Sequence, residues 1–241
     1  MQIDILTLFP DMFLSPFDES IIKRARERGL VAINTINIRD FACDKHMQVD
    51  DTPYGGGAGM VMKADVLGAA IENTRSNDSW VVYMSPQGKP LNQAKVENLA
   101  GRSHLTVLCG HYEGVDERVI DLVDEEISIG DYILTGGEIP AMVLVDAVVR
   151  LIPGVLGDEQ SPVEESFSHQ LLEYPHYTRP RIYKEKEVPE VLLSGHHEKI
   201  RLWRKKQSLV RTLLKRPELL LTKNLDKEEK KLLAEILFDR E

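Results

Sequence analysis

Three short segments of this 241-residue chain concentrate glycine, tyrosine and small polar residues. They are Tyr83-Met84-Ser85-Pro86-Gln87-Gly88, Cys109-Gly110-His111-Tyr112-Glu113-Gly114, and Ser128-Ile129-Gly130-Asp131-Tyr132-Ile133-Leu134-Thr135-Gly136-Gly137-Glu138. Each lies at the end of an apolar run that reads as a strand. Ligands of open parallel sheets bind outside the carboxyl ends of strands, and glycine lets backbone amides approach a ligand closely. Small side chains, tyrosines and few charges suit a flat, neutral aromatic ring better than a phosphate. Taken singly, each segment is equally a plain strand-to-helix turn; three on consecutive strands favour a ligand site.

Other residues invite chemistry less directly. The loop Tyr54-Gly55-Gly56-Gly57-Ala58-Gly59 lacks the spacing and the Lys-Ser/Thr ending of a phosphate-binding P-loop and is no dinucleotide fingerprint. It is either a flexible turn or a set of backbone amides offered to a phosphate or base, with Gly55, Gly57 and Gly59 as candidate RNA contacts. Arg150 ends an apolar helical stretch, where it is either a partner of the helix dipole or an electrophile for a substrate oxygen. Glu164 and Glu165 stand in a Gly/Pro/acidic segment, where exposed acids are usually just solvated. Residues 196–216 read as a basic helix with Lys199, Arg201, Arg204, Lys205, Lys206, Arg211, Lys215 and Arg216 against Glu198 alone. Acidic neighbours at helical spacing are nearly absent, so the stripe reads as a footprint for phosphates, with Arg201, Lys205 and Lys206 as its candidate contacts. His176, His196 and His197 do not have metal-site spacing, so no metal is expected.

The elements that must position these residues alternate. Strands are expected over 3–9, 31–38, 80–84, 105–109 and 126–133, and helices over 20–28, 63–74, 92–100, 116–123 and 139–151. Strands separated by helices of this length indicate crossover units and a parallel sheet covered on both faces. From residue 154 to about 170 no period is visible, which reads as a mobile linker. Helical signals then cover 196–216 and 227–238. The expected organisation is an α/β domain over 1–160, a linker over 161–172 and a small α-helical domain over 173–241.

Composition bounds the class. Hydrophobic residues make up 42% of the chain, a globular share. No apolar run of roughly 18 residues suggests a membrane span, and the first residues lack the pattern of a secretory signal. Two distant cysteines, Cys43 and Cys109, exclude a disulfide scaffold and a four-cysteine zinc site. A cytoplasmic protein is expected. The net charge of −9 is uneven: residues 173–241 hold 17 Lys/Arg against 12 Asp/Glu, and residues 1–172 hold 13 against 27. Taken whole, that charge argues weakly against nucleic acid, but an acidic body with a basic tail region is an asymmetry that needs explaining.

Seven motifs, in order, resemble the bacterial tRNA (guanine-N1)-methyltransferases of the knotted (SPOUT) superfamily. They are Tyr54-Gly55-Gly56-Gly57-Ala58-Gly59-Met60, Cys109 to Arg118, Ser128-Ile129-Gly130-Asp131-Tyr132, Leu134-Thr135-Gly136-Gly137-Glu138, Pro153-Gly154-Val155-Leu156-Gly157, Pro175-His176-Tyr177-Thr178-Arg179-Pro180 and Leu192-Leu193-Ser194-Gly195. The resemblance implies a parallel-sheet α/β domain ending in a deep trefoil knot, a feature that pattern reasoning alone argues against. It also implies a homodimer whose active sites lie between subunits, S-adenosylmethionine as methyl donor, and tRNA as substrate. The methyl acceptor would be N1 of the guanosine just 3′ of the anticodon, at position 37. Magnesium is implied as an aid, although the sequence shows no signature for its ligands.

Carried over residue by residue, the resemblance puts Tyr83, Ser85 and Pro86 of the first segment around the cofactor. From the second come Gly110, Tyr112, Glu113 and Gly114. From the third come Ser128, Ile129, Gly130, Tyr132, Leu134, Gly136, Gly137 and Pro140. Arg150 matches the arginine that holds the guanine O6. The general base is an aspartate in the family's Glu-Asp-Ser-Phe; here the stretch is Glu164-Glu165-Ser166-Phe167, so Glu165 stands in its place. Gly195-His196-His197 likewise replaces the commoner Gly-Asn-His. Guanine N1 needs its proton removed before it attacks, which fits a carboxylate base and an arginine facing O6. The rivals are a knotted methyltransferase acting on rRNA or a ribose hydroxyl, and a non-enzymatic RNA-binding module.

Overall fold

The computed structural model describes residues 1–157 and 165–238. The chain divides into two compact units, Met1–Gly157 and Asp158–Glu241. The first is built on a five-stranded sheet in the order β2-β1-β6-β5-β7. Its strands are β1 (Gln2–Thr7), β2 (Ala32–Asn37), β5 (Ser79–Pro90), β6 (His104–Cys109) and β7 (Glu125–Ser128), all parallel. A short antiparallel pair, β3 (Asp50–Asp51) and β4 (Val61–Met62), flanks the glycine-rich loop.

Side chains alternate across the sheet as the strand period requires. Ile3, Ile5, Val82, Met84, Leu105, Val107 and Cys109 pack on one face with Val96, Leu99, Leu144 and Val148. Those partners come from α4 (Gln93–Ala100) and α5 (Glu138–Val149), with α2 (Ser20–Glu27) beside them and the short α1 (Leu14–Phe17) preceding it. Leu6, Val81, Tyr83 and Leu108 face Val66, Leu67, Ala70 and Ile71 of α3 (Ala64–Thr74). Local signals set the ends. Gly29 at φ 69° stops α2, with Leu30 N–H donating back to Ala25 O at 3.0 Å in a Schellman closure. Asn92 caps α4 by accepting from Lys95 N–H at 2.9 Å.

Strand β5 departs from regular pairing. Met84 and Lys89 both stand opposite Ile127, so residues 85–88 leave the sheet and return to the same partner. Gly88 closes this excursion where a Cβ would strike the backbone of Glu126 and Ile127. The strand expected to continue to residue 133 ends at Ser128, because Gly130 at φ 147° turns the chain away. The helix expected over 116–123 is a 3-10 turn, Glu117–Leu122.

The second unit holds a hairpin, β8 (Ile182–Tyr183) and β9 (Lys186–Glu187), and four helices among the described residues: α6 (Glu190–Leu193), α7 (His197–Lys215), α8 (Glu218–Thr222) and α9 (Lys227–Phe238). Helices α7 and α9 were legible from their period; the hairpin was not. Leu171, Leu209 and Leu232 form the buried centre. Part of the stretch expected to be a linker is joined to it: Leu171 is buried and Leu172 N–H donates to Thr212 Oγ1 at 2.8 Å. Among the described residues no helix is long and apolar enough to cross a membrane.

Candidate active site

The three glycine- and tyrosine-bearing segments meet at the carboxyl ends of β5, β6 and β7, around a cleft of about 320 Å³. Every residue expected around the cofactor, from Tyr83 through Pro140, lines it.

Backbone proximity builds this cleft. Gly137 N–H donates to Gly110 O at 2.8 Å, and His111 bridges Gly136. A Cβ at Gly137 would sit 2.7 Å from Cys109 Cα, so any larger residue would push the third loop off the end of β6. A Cβ at Gly110 would lie 2.8 Å from the Tyr83 ring. Tyr112, Gly114 and Gly130 all have φ in the left-handed region, at 58°, 121° and 147°. Ser128 Oγ donates to Gly130 O at 3.1 Å and Tyr132 Oη to Ile129 O at 3.3 Å, which fixes the third loop upon itself.

The charge of the lining is one-sided. Glu113, Glu117 and Glu126 contribute carboxylates, and no Lys or Arg among the described residues lines the cleft. Apolar surface comes from Pro86, Ile129, Leu134 and Pro140. Burial, with the Glu126 charge second, pushes the Tyr83 hydroxyl up to about 12, so it stays a neutral donor. Glu117 and Glu126 escaped the sequence reading; only their nearness to strand ends could have flagged them.

The glycine-rich loop adjoins the second segment. Met62 N–H donates to Gly114 O and Glu113 N–H to Met60 O, each at 3.0 Å. Gly59 at φ 85° faces the Glu113 carboxylate so closely that a Cβ would collide with it. Gly55 and Gly57 do not line the cleft, and Tyr54 at the loop's start is fully exposed.

Arg150 caps the far end of α5 and is not among the cleft-lining residues. At a rise of ~1.5 Å per residue, Glu138 and Arg150 are about 18 Å apart along the axis. Glu165 belongs to the second unit, where its carbonyl accepts from Ser168 N–H at 3.3 Å. Glu164 lies outside the described residues.

The three cations picked on α7 have acidic partners, of which only Glu198 stands on the same helix. Arg201 pairs with Glu198 at 2.7 Å and Glu228 at 2.6 Å, Lys205 with Asp226 and Glu228 at 2.9 Å each, and Lys206 with Glu235 at 3.6 Å. Most of these acids come from α9 and the turn before it, some 20 or more positions along the chain, beyond any i,i+4 test. Lys199, Arg211 and Lys215 have no such partner among the described residues. No group of three or more His, Cys, Asp or Glu among the described residues could hold a metal ion.

A sequence profile described as tRNA (Guanine-1)-methyltransferase TrmD matches residues 1–222. Curated relatives named tRNA (guanine-N(1)-)-methyltransferase align over nearly the full length of both chains. The protein of Syntrophomonas wolfei subsp. wolfei is 74% identical, covering 100% of this chain and 99% of its own. That of Carboxydothermus hydrogenoformans is 62% identical over 99% and 95%. That of Pelotomaculum thermopropionicum is 60% identical over 98% and 96%.

Proposed function

The chain belongs to the tRNA (guanine-1)-methyltransferase family and is an enzyme, and on that premise we propose that it methylates N1 of guanosine 37 in tRNA, with S-adenosylmethionine as donor. The observation that carries the donor is the cleft's lining among the described residues: three carboxylates, no Lys or Arg, glycine-opened amides and apolar walls. That donor set fits a ligand that joins a neutral aromatic ring to a positively charged centre, and it disfavours a phosphate. When bound, S-adenosylmethionine supplies a methyl group on a positively charged sulfur.

The chain's own residues do the rest. Pro86, Ile129, Leu134 and Pro140 hold the ring of the donor and exclude water. The carboxylates favour its positive end, and the fixed loops orient it, so that much of the rate comes from positioning. Glu165 takes the proton from guanine N1. Arg150 faces O6 and stabilises the negative charge that develops there. The target base must leave its stack to reach such a cleft.

The working unit in this reading is a cytoplasmic homodimer with sites between subunits. Two observations support it. Arg150 is about 15 Å along α5 from Pro140, the residue of that helix that lines the cleft of its own chain, so a second copy is the natural recipient of its guanidinium. Helix α5 also exposes Ile139 and Val143, 47% and 44% accessible, beside a single exposed charge, Asp146. The sheet order β2-β1-β6-β5-β7, with residues 136–137 laid back on 110–111 after β7, supports a knotted path for these loops. The second unit, residues 173–241 in the sequence reading, is the RNA-binding domain, with Lys199, Arg211 and Lys215 added to the paired cations of α7.

Transfer of labelled methyl to purified tRNA, followed by mapping of the modified nucleotide, tests the reading. The expected product is 1-methylguanosine at position 37; methyl on another base, on ribose or on rRNA alone would overturn it. In single turnover, Glu165→Gln is expected to slow methyl transfer by about 10²–10⁴-fold with cofactor and tRNA affinity little changed.

A further inference from the structure

The twelve residues 176–187 are all exposed, and seven of them form or join the β8–β9 hairpin. Residues 181–187 bury nothing in any core, so packing does not account for their types. The ribbon is nonetheless well defined. Ile182 stands opposite Glu187 and Tyr183 opposite Lys186, and Val188 N–H donates to Arg181 O at 3.0 Å. Lys184 and Glu185 both take positive φ, 48° and 63°, as a two-residue I′ hairpin loop requires.

Period-two alternation then sorts the side chains. Arg181, Tyr183 and Lys186 share one face, because residues two apart and cross-strand partners lie on the same side. Ile182 and Glu187 occupy the other. Lys184 reaches back from the turn, with Nζ 5.4 Å from the centre of the Tyr183 ring. One face of the ribbon is therefore cationic and aromatic, with Tyr183 63% exposed, and Glu187 is turned away from it. None of Arg181, Lys184 or Lys186 has an acid within ion-pair distance among the described residues, whereas Arg201, Lys205 and Lys206 of α7 all do. Unpaired cations around an exposed aromatic ring match the chemistry of a nucleic-acid strand, with phosphates for the cations and a π-face for the ring.

We infer that the β8–β9 hairpin is an RNA-contacting element, whose Arg181/Tyr183/Lys186 face lies on the sugar–phosphate backbone of the tRNA with Tyr183 stacked on an unpaired base. The inference rests on the reading of this chain as a tRNA methyltransferase. It adds a surface that composition hid, since Glu185 and Glu187 make the segment look charge-mixed.

The test is tRNA binding by the full chain across a salt series. Arg181→Ala/Lys184→Ala/Lys186→Ala should weaken binding on the order of 10–100-fold near physiological salt and reduce the slope of log K against log salt by about two to three. The single variant Lys186→Glu, which leaves the ladder's backbone pairing in place, should weaken binding in the same direction. Tyr183→Ala should lower affinity several-fold, and Tyr183→Phe should restore it, since phenylalanine keeps the stacking face. Glu187→Gln on the other face should leave affinity unchanged or slightly higher. Affinity and salt slope equal to wild type in both the triple variant and Lys186→Glu would overturn the inference. So would equal losses from Tyr183→Phe and Tyr183→Ala. Failure of the underlying reading looks different: wild-type chain would then bind tRNA without salt dependence, and Arg211→Ala/Lys215→Ala on α7 would be as silent as the hairpin variants.

Discussion

The two units hold their surfaces in place by opposite means. In Met1–Gly157 a deep core clamps the strands, and the cleft at their ends is built from main chain: Gly137 against Cys109, Gly110 against the Tyr83 ring, residues 136–137 on 110–111. In Asp158–Glu241 only Leu171, Leu209 and Leu232 form a buried apolar centre among the described residues, and long side chains in ion pairs decorate it. In the proposed function the cleft grips a neutral ring, which needs fixed walls with little give. The second unit there meets phosphates, which needs charge spread over reach and can stand on a thin core. Damage should accordingly spread differently: one apolar truncation should melt the second unit, whereas the first should lose function before it loses fold.

The largest effect should come from Leu209→Ala, which removes a fully buried side chain from that three-residue centre. A loss of about 2–5 kcal/mol is expected, enough to unfold the second unit, while the first keeps its cofactor affinity. Calorimetric melting should show the transition of the second unit moved or lost; a single unchanged transition would break the comparison.

Next in size is Leu134→Glu, which puts a fourth carboxylate on an apolar wall of the cleft. Calorimetry should show donor affinity reduced by roughly tenfold or more with little change in melting, since one lost apolar contact plus a buried charge is worth at least ~1.4 kcal/mol. Mixing this variant with Arg150→Ala sharpens the point. At donor concentrations well below the Kd of the Leu134→Glu variant each alone should be strongly impaired, and the mixture should regain part of the activity through hybrid dimers that carry one complete site. No recovery would mean that Arg150 serves the cleft of its own chain.

The smallest effect is electrostatic. Arg201 first, then Lys205, holds the Glu228 carboxyl down from its ordinary 4.5 to about 2. A carboxyl lowered by folding stabilises above its unfolded value and loses that contribution as pH falls through the folded one. The contact of α9 with α7 should therefore be intact above pH 4.5 and loosen as pH falls towards about 2. Because the group is exposed, the gain is screened and small. An NMR titration of Glu228 should follow that window; a midpoint near 4.5 would show the pairing to be loose in solution.

Much of the first unit could be read directly from residues. Strands β1, β5 and β6 show as runs of Ile, Leu and Val because both faces are covered, and α5 as an apolar helix. The same logic misled at 129–133. Ile129, Tyr132 and Ile133 continue an apolar strand pattern, yet Ile133 is 80% exposed; apolarity there serves something other than the chain's own core, and only Gly130 hinted at the turn. The three loops that line the cleft were legible as a group because glycines mark where backbones must touch. The ion pairs between α7 and the acids of α9 and its preceding turn were not, because sequence neighbours say nothing of acids that far along the chain. The hairpin was missed because its turn is Lys184-Glu185, where Asn or Gly would have announced it.

The excursion of β5 has a consequence for how this cleft can vary over generations. Met84 and Lys89 both face Ile127, so the bulging segment begins and ends at one point on β7. Residues added to or removed from its tip would leave the pairing of Pro90 with Ser128 untouched and shift no later strand. Mutation can therefore remodel one wall of the cleft while the scaffold keeps its alignment, provided Gly88 remains to close the seam.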